Sequence, residues 1–487
     1  MKLEKRLYQL VIGRLDGDRI HQESYARAVR ELVTKGIGGF ILFGGTRRGI
    51  GDFIRGLQSF AEVPLFIASD VERGVGQQIK GATSLPCPMA MAAALDSGNA
   101  EDGALIESVL KGLADEAVDN GINMPLIPVI DVNQDPDNPI ICTRAFSDDP
   151  RTVSWFGSIY IKAIEQAGLI SCAKHFPGHG DTAVDSHIAL PVIHKTKSGL
   201  AGTDIFPFAR AIEAGVSSIM VGHLAVPSLD DLPASFSKKI MCSLLREELG
   251  FRGLILTDAL DMRALDDVVD LPVKCINAGA DILLHPSDAD ATVSILHSAF
   301  MSGGLEENML NSAVERIVKE KERLRRLAPG EIDYTRNLHL SIDIADRSIT
   351  LVKDTPGLLP LTGNKRFRLI VAGDEALSSA SPLAGGALST LQVEDLDETV
   401  VFAIFTSVAA WKGSSGISAN VRDSISELIT KAKKSIVISF GSPYVLRYFG
   451  KADILIAAYE PIRRVQDSVM KCLIGEKNFM GRLPVKL

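Results

Sequence analysis

Short apolar runs separated by amphipathic stretches set the rhythm of this chain. Eight runs occupy roughly the first 290 residues: "LYQLVIG" (7–13), "GGFILFGG" (38–45), "PLFIASD" (64–70), "GINMPLIPVIDV" (121–132), "LISCAKH" (169–175), "SSIMVGH" (217–223), "GLILTDA" (253–259) and "ADILLHP" (280–286). They are rich in Ile, Val, Leu and Phe without clean alternation, the pattern of strands buried on both faces. Segments between them, such as "ESYARAVRELVTKG" and "GALIESVLKGLADEAVDNG", carry helical periodicity. Strand–helix alternation implies a parallel sheet with helices outside, and eight such units predict a (β/α)8 barrel of the TIM type. The competing doubly wound sheet normally carries a G-x-G-x-x-G turn. The nearest stretches, "GGTRRGIG" and "RGVGQQIKG", lack that spacing.

The run "MLNSAVERIVKEKERLRRL" (309–327) predicts the last helix of the barrel, its basic end suited to a helix C-terminus. Polar residues broken by Pro and Gly follow, so a barrel over 1–330 and a linker over 331–344 are expected. The runs "RFRLIVAG", "TVVFAIFTS", "KSIVISFG" and "ADILIAAY", with the helix-like "VRDSISELITKAKK", then predict a smaller C-terminal α/β sandwich over 345–487.

Composition narrows the function classes. A net charge of −8 argues against binding a nucleic-acid backbone, which needs a basic field. Six cysteines without a C-x-x-C pair form no disulfide framework, so reduced thiols are expected. The opening "MKLEKRLYQLVIGRLDG" lacks the pattern of a secretory leader, and no apolar run approaches a membrane span. A cytoplasmic protein without a membrane partner is the expectation. The oligomeric state is not legible.

Polar groups recur where a parallel barrel gathers its chemistry, at the carboxyl ends of strands. Asp70 ends the third run, Asp131 and the later Arg144 follow the fourth, Lys174 and His175 end the fifth, His223 the sixth and Asp258 the seventh. After the fifth run comes "KHFPGHGDTAVDSH", in which Gly178 and Gly180 permit backbone conformations closed to other residues. Asp185 and His187, two apart, face the same side of an extended stretch. A carboxylate beside an imidazole fixes its tautomer and stabilises its protonated form, making a candidate acid/base unit. A metal set of His175, His179, Asp181 and His187 is disfavoured, because no H-x-x-x-H sits on a helical pattern and no Cys joins in. Neither metal nor other cofactor is expected. No G-x-S-x-G marks a serine nucleophile.

Taken with "GLILTDALDM", the loop strongly resembles glycoside hydrolase family 3, and more narrowly the bacterial β-N-acetylglucosaminidases of that family. "PVIDVNQDPDNPIICTRAFSDDP", "DIFPFARAIEAGVSSIMVGH", "DIADRSITLVKD" and "ISFGSPYVL" extend the resemblance through most of the chain. It implies that Asp258 is the catalytic nucleophile, His187 the acid/base and Asp185 its partner. It also implies that Asp70, Arg144, Lys174 and His175 bind the hydroxyls of the terminal sugar, a group His223 joins by its place at a strand end. Near the third run the chain reads "DVERGVGQQIK", with Gln78 where similar sequences carry an arginine.

The resemblance therefore implies a retaining exo-β-N-acetylglucosaminidase that takes a small glycoside, with cell-wall muropeptides as substrate. A β-N-acetylglucosaminide or β-glucoside phosphorylase on the same scaffold, a β-glucosidase of the same broad family and an inactive carbohydrate-binding barrel are the alternatives.

Overall fold

The computed structural model describes residues 1–182, 190–262, 265, 268–324, 327, 330–361, 367–379, 381, 399–408 and 414–487. Each of the eight N-terminal runs contributes a strand: β1 (Val11–Asp16), β2 (Gly39–Phe43), β3 (Phe66–Ser69), β4 (Met124–Pro125), β5 (Cys172–Phe176), β6 (Ser218–Val221), β7 (Leu254–Thr257) and β8 (Leu283–Leu284). All pairings among them are parallel and fall into two curled pieces, β4-β3-β2-β1-β8 and β5-β6-β7. Single parallel bridges, Val129 to Lys174 and Leu256 to Ile282, link the pieces.

Three runs depart from the expected strands, the eighth giving only the two residues Leu283–Leu284. The first half of 7–13 belongs to the helix Leu3–Gln9, and the strand begins only at Val11. In 121–132 the strand is two residues long, because Pro125 and Pro128 have no N–H to give a ladder.

The last helix of this region, Glu307–Leu324, lies where the basic amphipathic run places it. Across most of the stretch expected to be a linker and four residues beyond it, the structure has the helix Tyr334–Ser348, capped by Asp333, whose side chain accepts from the Arg336 amide. Its buried face includes Asn337, Ser341 and Ser348 alongside Ile344 and Ala345. The Asn337 amide donates to Glu116, and the Ser341 hydroxyl to the Ser84 carbonyl. A buried face this polar gives a weak hydrophobic signal.

Beyond it, β9 (Thr350–Lys353), β10 (Phe367–Gly373), β11 (Thr399–Phe405), β12 (Lys434–Phe440) and β13 (Ile454–Ala457) form one sheet in the order β10-β11-β12-β13-β9. Only β9 is antiparallel to its neighbour. Along β11, Val400, Phe402 and Ile404 enter one apolar cluster and Val401, Ala403 and Phe405 another, so both faces are covered. The first of these clusters also contains Met89 and Ala90 of the helix Pro88–Ala94, which docks the N-terminal region on this sheet. No helix among the described residues is long and apolar enough to cross a membrane.

Candidate active site

The carboxyl ends of β3, β4 and β5 meet in a buried charge cluster. Lys174, on β5 and 1% exposed, donates from Nζ to Asp70 Oδ1 at 2.5 Å and lies 2.9 Å from Glu72 Oε1. Arg144 donates to both oxygens of Glu72, at 2.8 and 2.9 Å. Burial alone would raise the Glu72 carboxyl, but the Arg144 and Lys174 charges hold it well below the usual carboxylate range. Burial likewise opposes the Lys174 ammonium, and Asp70 and Glu72 reverse that effect and raise it. Glu72 and Lys174 are sealed, whereas the side chains of Asp70 and Arg144 keep 30% and 25% of their surface open. The cluster thus presents one acceptor and one donor, each fixed from below.

A buried carboxylate–imidazole pair lies beside it. Asp131 is fully buried and sits 2.7 Å from His175 Nδ1, while it accepts from the His175 and His179 amides. Burial alone would raise Asp131, but the neighbouring His175 lowers it. His179 is pushed down to about 4 by burial and by His175, so it is neutral at physiological pH.

The root of the loop after β5 is tightly built. A Cβ on Gly180 would lie 1.8 Å from the Val132 carbonyl oxygen, so only glycine permits this approach to the loop after β4. Gly178 uses its other freedom, with φ of +127°. The Gln134 amide donates to the Gly180 carbonyl, and Asn138 Nδ2 to the His179 carbonyl at 2.9 Å. Asp185 and His187 lie outside the described residues.

Asp258 follows β7. Its amide donates to the Val221 carbonyl, and its Oδ1 accepts from the Ala259 amide at 2.8 Å. His223, after β6, stands 3.0 Å from the Ala259 carbonyl through Nε2 and so abuts the same turn. Of the residues expected at the site, the structure therefore brings Asp70, Arg144 and Lys174 together, sets His175 beside them on Asp131, and places His223 against the turn that carries Asp258.

Three further groups escaped the sequence reading as site residues. Glu72 is the common partner of Arg144 and Lys174, and it stands two residues past Asp70 in the quoted "DVERG". Asp261 pairs with His285, whose Nδ1 is 3.1 Å from Asp261 Oδ1. The signal for His285 was its place at the end of the eighth apolar run.

The C-terminal region reaches the same loops. The Cys87 amide donates to Glu460 Oε1 at 3.0 Å, and Arg73, next to Glu72, lies 3.8 Å from that oxygen. Asn133 Nδ2 donates to the Tyr444 hydroxyl at 2.8 Å, Arg447 pairs with Asp137, and the Ser147 hydroxyl donates to the Pro484 carbonyl. Among the described residues no group of three or more His, Cys, Asp or Glu is gathered as a metal would require.

This architecture and sequence have known counterparts. The model of the glycosyl hydrolase family 3 N-terminal domain matches residues 2–319. A β-hexosaminidase A of Pseudoalteromonas piscicida is 35% identical over 386 residues, 71% of this chain but 64% of its own length. A Cellulomonas fimi protein named β-N-acetylglucosaminidase/β-glucosidase is 28% identical over 93% of this chain and 89% of its own. The solved structure of a family 3 β-N-acetylglucosaminidase from Paenibacillus sp. FPU-7 superposes with a TM-score of 0.84 at 26% identity, covering 100% of this chain and 99% of that one. With the family model spanning well over half of its residues, the chain belongs to glycosyl hydrolase family 3.

Proposed function

We propose that this protein is a retaining exo-β-N-acetylglucosaminidase that removes terminal β-linked N-acetylglucosamine, with cell-wall muropeptides in the cytoplasm as its substrates. In this reading residues 1–330 are a catalytic (β/α)8 barrel, 331–344 the connection and 345–487 an α/β unit. The observation that carries the proposal is the Asp70–Lys174–Glu72–Arg144 cluster. Fixed donors and acceptors at neighbouring strand ends suit the vicinal hydroxyls of a pyranose, and their rigidity lets binding energy act at the reacting carbon. The relatives named β-hexosaminidase and β-N-acetylglucosaminidase support the choice of sugar.

Cleaving a glycosidic bond needs protonation of the leaving oxygen and stabilisation of an oxocarbenium-like centre. Asp258 attacks C1 and forms a glycosyl-enzyme while His187, held by Asp185, gives its proton to the leaving group. Neutral His187 then takes a proton from water, whose oxygen displaces Asp258. Asp70, Arg144, Lys174, His175 and His223 hold or surround the terminal sugar.

Intact-mass analysis and peptide mapping after incubation with a fluorinated N-acetylglucosamine donor test the reading. One added sugar on a peptide containing Asp258 is expected. Label on another carboxylate, or an oxazoline product without label, overturns it. Running the assay with and without phosphate separates hydrolysis from phosphorolysis by the product formed.

A further inference from the structure

The cluster at β3 to β5 leaves one arc of strand ends unused. Those ends belong to β8, β1 and β2, which are consecutive in the sheet, with the turn after β7 beside them through a hydrogen bond from the Leu260 amide to the Leu284 carbonyl. Four side chains occupy this arc. Arg14, near the end of β1 and exposed, holds its guanidinium carbon 4.8 Å from the centre of the Phe43 ring at the end of β2. The other neighbour of Phe43 is His285, just past β8, with ring centres 5.5 Å apart. His285 sits in a left-handed conformation, φ of +48°, which a non-glycine residue adopts only where its surroundings impose it. Asp261 binds its Nδ1, which leaves the other ring nitrogen to face away from the carboxylate. The Asp261 side chain itself keeps 39% of its surface open. Burial raises the Asp261 carboxyl, but His285 and the nearby Arg14 outweigh that and keep it ionised.

We propose that Asp261, His285 and Arg14 form an acceptor subsite for a second, hydroxyl-bearing pyranose ring, the leaving group of the forward reaction. The inference rests on Asp258 as nucleophile and on the β3–β5 cluster as the holder of the terminal sugar. In a pyranose, C4 and C1 lie at opposite ends of the ring. A sugar held by its far hydroxyls at β3–β5, with C1 at Asp258 after β7, must continue away from β3–β5. The arc of β8, β1 and β2 is what lies there. Asp261 is three residues from Asp258, a span of at most about 11 Å, so a ring attached to the reacting carbon stays within its reach. An ionised, half-open carboxylate accepts from sugar hydroxyls, the exposed Arg14 supplies the complementary donor, and the buried His285 holds Asp261 in place.

The partition of the glycosyl-enzyme between water and an added sugar acceptor tests the subsite. It is read within each variant as the ratio of transfer product to hydrolysis product. An activated aryl N-acetylglucosaminide serves as donor, and N-acetylglucosamine at rising concentration serves as acceptor. In transfer, the acceptor oxygen replaces Asp258 at C1 and its proton passes to the base that would otherwise take one from water. Asp261→Asn is expected to raise the acceptor concentration needed for half-maximal transfer about tenfold or more, the scale of one lost hydrogen bond to a charged group. Arg14→Ala, at an exposed side chain, should shift it in the same direction by less. Because the ratio is taken within one sample, a poorly folded fraction does not disturb it. Wild-type transfer with unchanged partition in both variants overturns the subsite. Absence of any glycosyl-enzyme in the wild type would instead overturn the nucleophile reading on which it rests.

Discussion

Glu460 is a carboxyl group buried between the C-terminal sheet and the loop after β3, and replacing it with glutamine should make the protein more stable at alkaline pH. Its Oε1 accepts from the Cys87 amide, and its Oε2 is buried with no hydrogen-bond partner among the described residues. Burial raises its pKa from the usual 4.5 to about 7, with Arg73 at 3.8 Å and the more distant Arg464 offsetting only part of the effect. Below pH 4.5 the folded and unfolded chains both hold the proton, and the group contributes nothing. Between 4.5 and 7 the folded state keeps a proton that the unfolded state has released, so stability falls as pH rises. Above pH 7 both are ionised and the full penalty stands. A rise of this size, at about 1.4 kcal/mol per pH unit, comes to about 3 kcal/mol. Glu460→Gln cannot ionise and keeps the acceptor for Cys87. Urea unfolding of both proteins at pH 5, 6, 7 and 8 and constant ionic strength should show the variant gaining on the wild type by about 2.5 kcal/mol across the series, part of the penalty being present already at pH 5. A difference between the two that stays constant from pH 5 to pH 8 would refute the assignment of this pH dependence to Glu460.

Two other substitutions probe the candidate site. Glu72→Gln removes the charge that holds Arg144 and Lys174, and should raise KM and lower kcat/KM by about tenfold or more, measured by steady-state kinetics. A variant with wild-type KM would show that neither cation needs Glu72 for its position. His187→Ala should cut hydrolysis of glycosides with poor leaving groups about 10²–10⁴-fold, the range of a general acid. An activated aryl glycoside should suffer far less in forming the glycosyl-enzyme, and azide should restore turnover as the β-glycosyl azide; equal losses for all leaving groups would remove His187 from the acid/base role.

The places of the strands were legible because each apolar run marks a segment buried in the sheet, although the ladder in the fourth and eighth runs is only two residues long. The helix Tyr334–Ser348 was not, since Asn337 and Ser341 on its buried face are satisfied by hydrogen bonds to distant residues and Ser348 by the Ala345 carbonyl of the same helix, and such satisfaction leaves no trace in hydropathy. The site divides in the same way. Asp70, Arg144, Lys174 and Asp258 stand at or beyond the ends of apolar runs and were found there. Glu72 became visible as a hub only when folding brought Arg144, 72 residues away, onto both its oxygens. His285 ended a run as plainly as Asp258 did, yet its partner Asp261 reads equally well as the first turn of a helix. The Glu460 contact with Cys87 joins residues 373 apart, a separation no local pattern encodes.

The contacts that Glu460, Tyr444, Arg447 and Pro484 make with the loops after β3 and β4 bear on how specificity could be moved between relatives. A loop grafted alone from a homologue would arrive without the residues that roof it. The loop carrying Asp70 and Glu72 would lose the Cys87 and Arg73 anchorage, and the loop carrying Asp131 its Asn133 tether. Under the proposed function, the heritable unit of sugar selection in this scaffold is therefore a strand-end loop together with the patch of C-terminal surface above it. Chimaeras that exchange both at once respect the joint, and those that cut between them divide a single part.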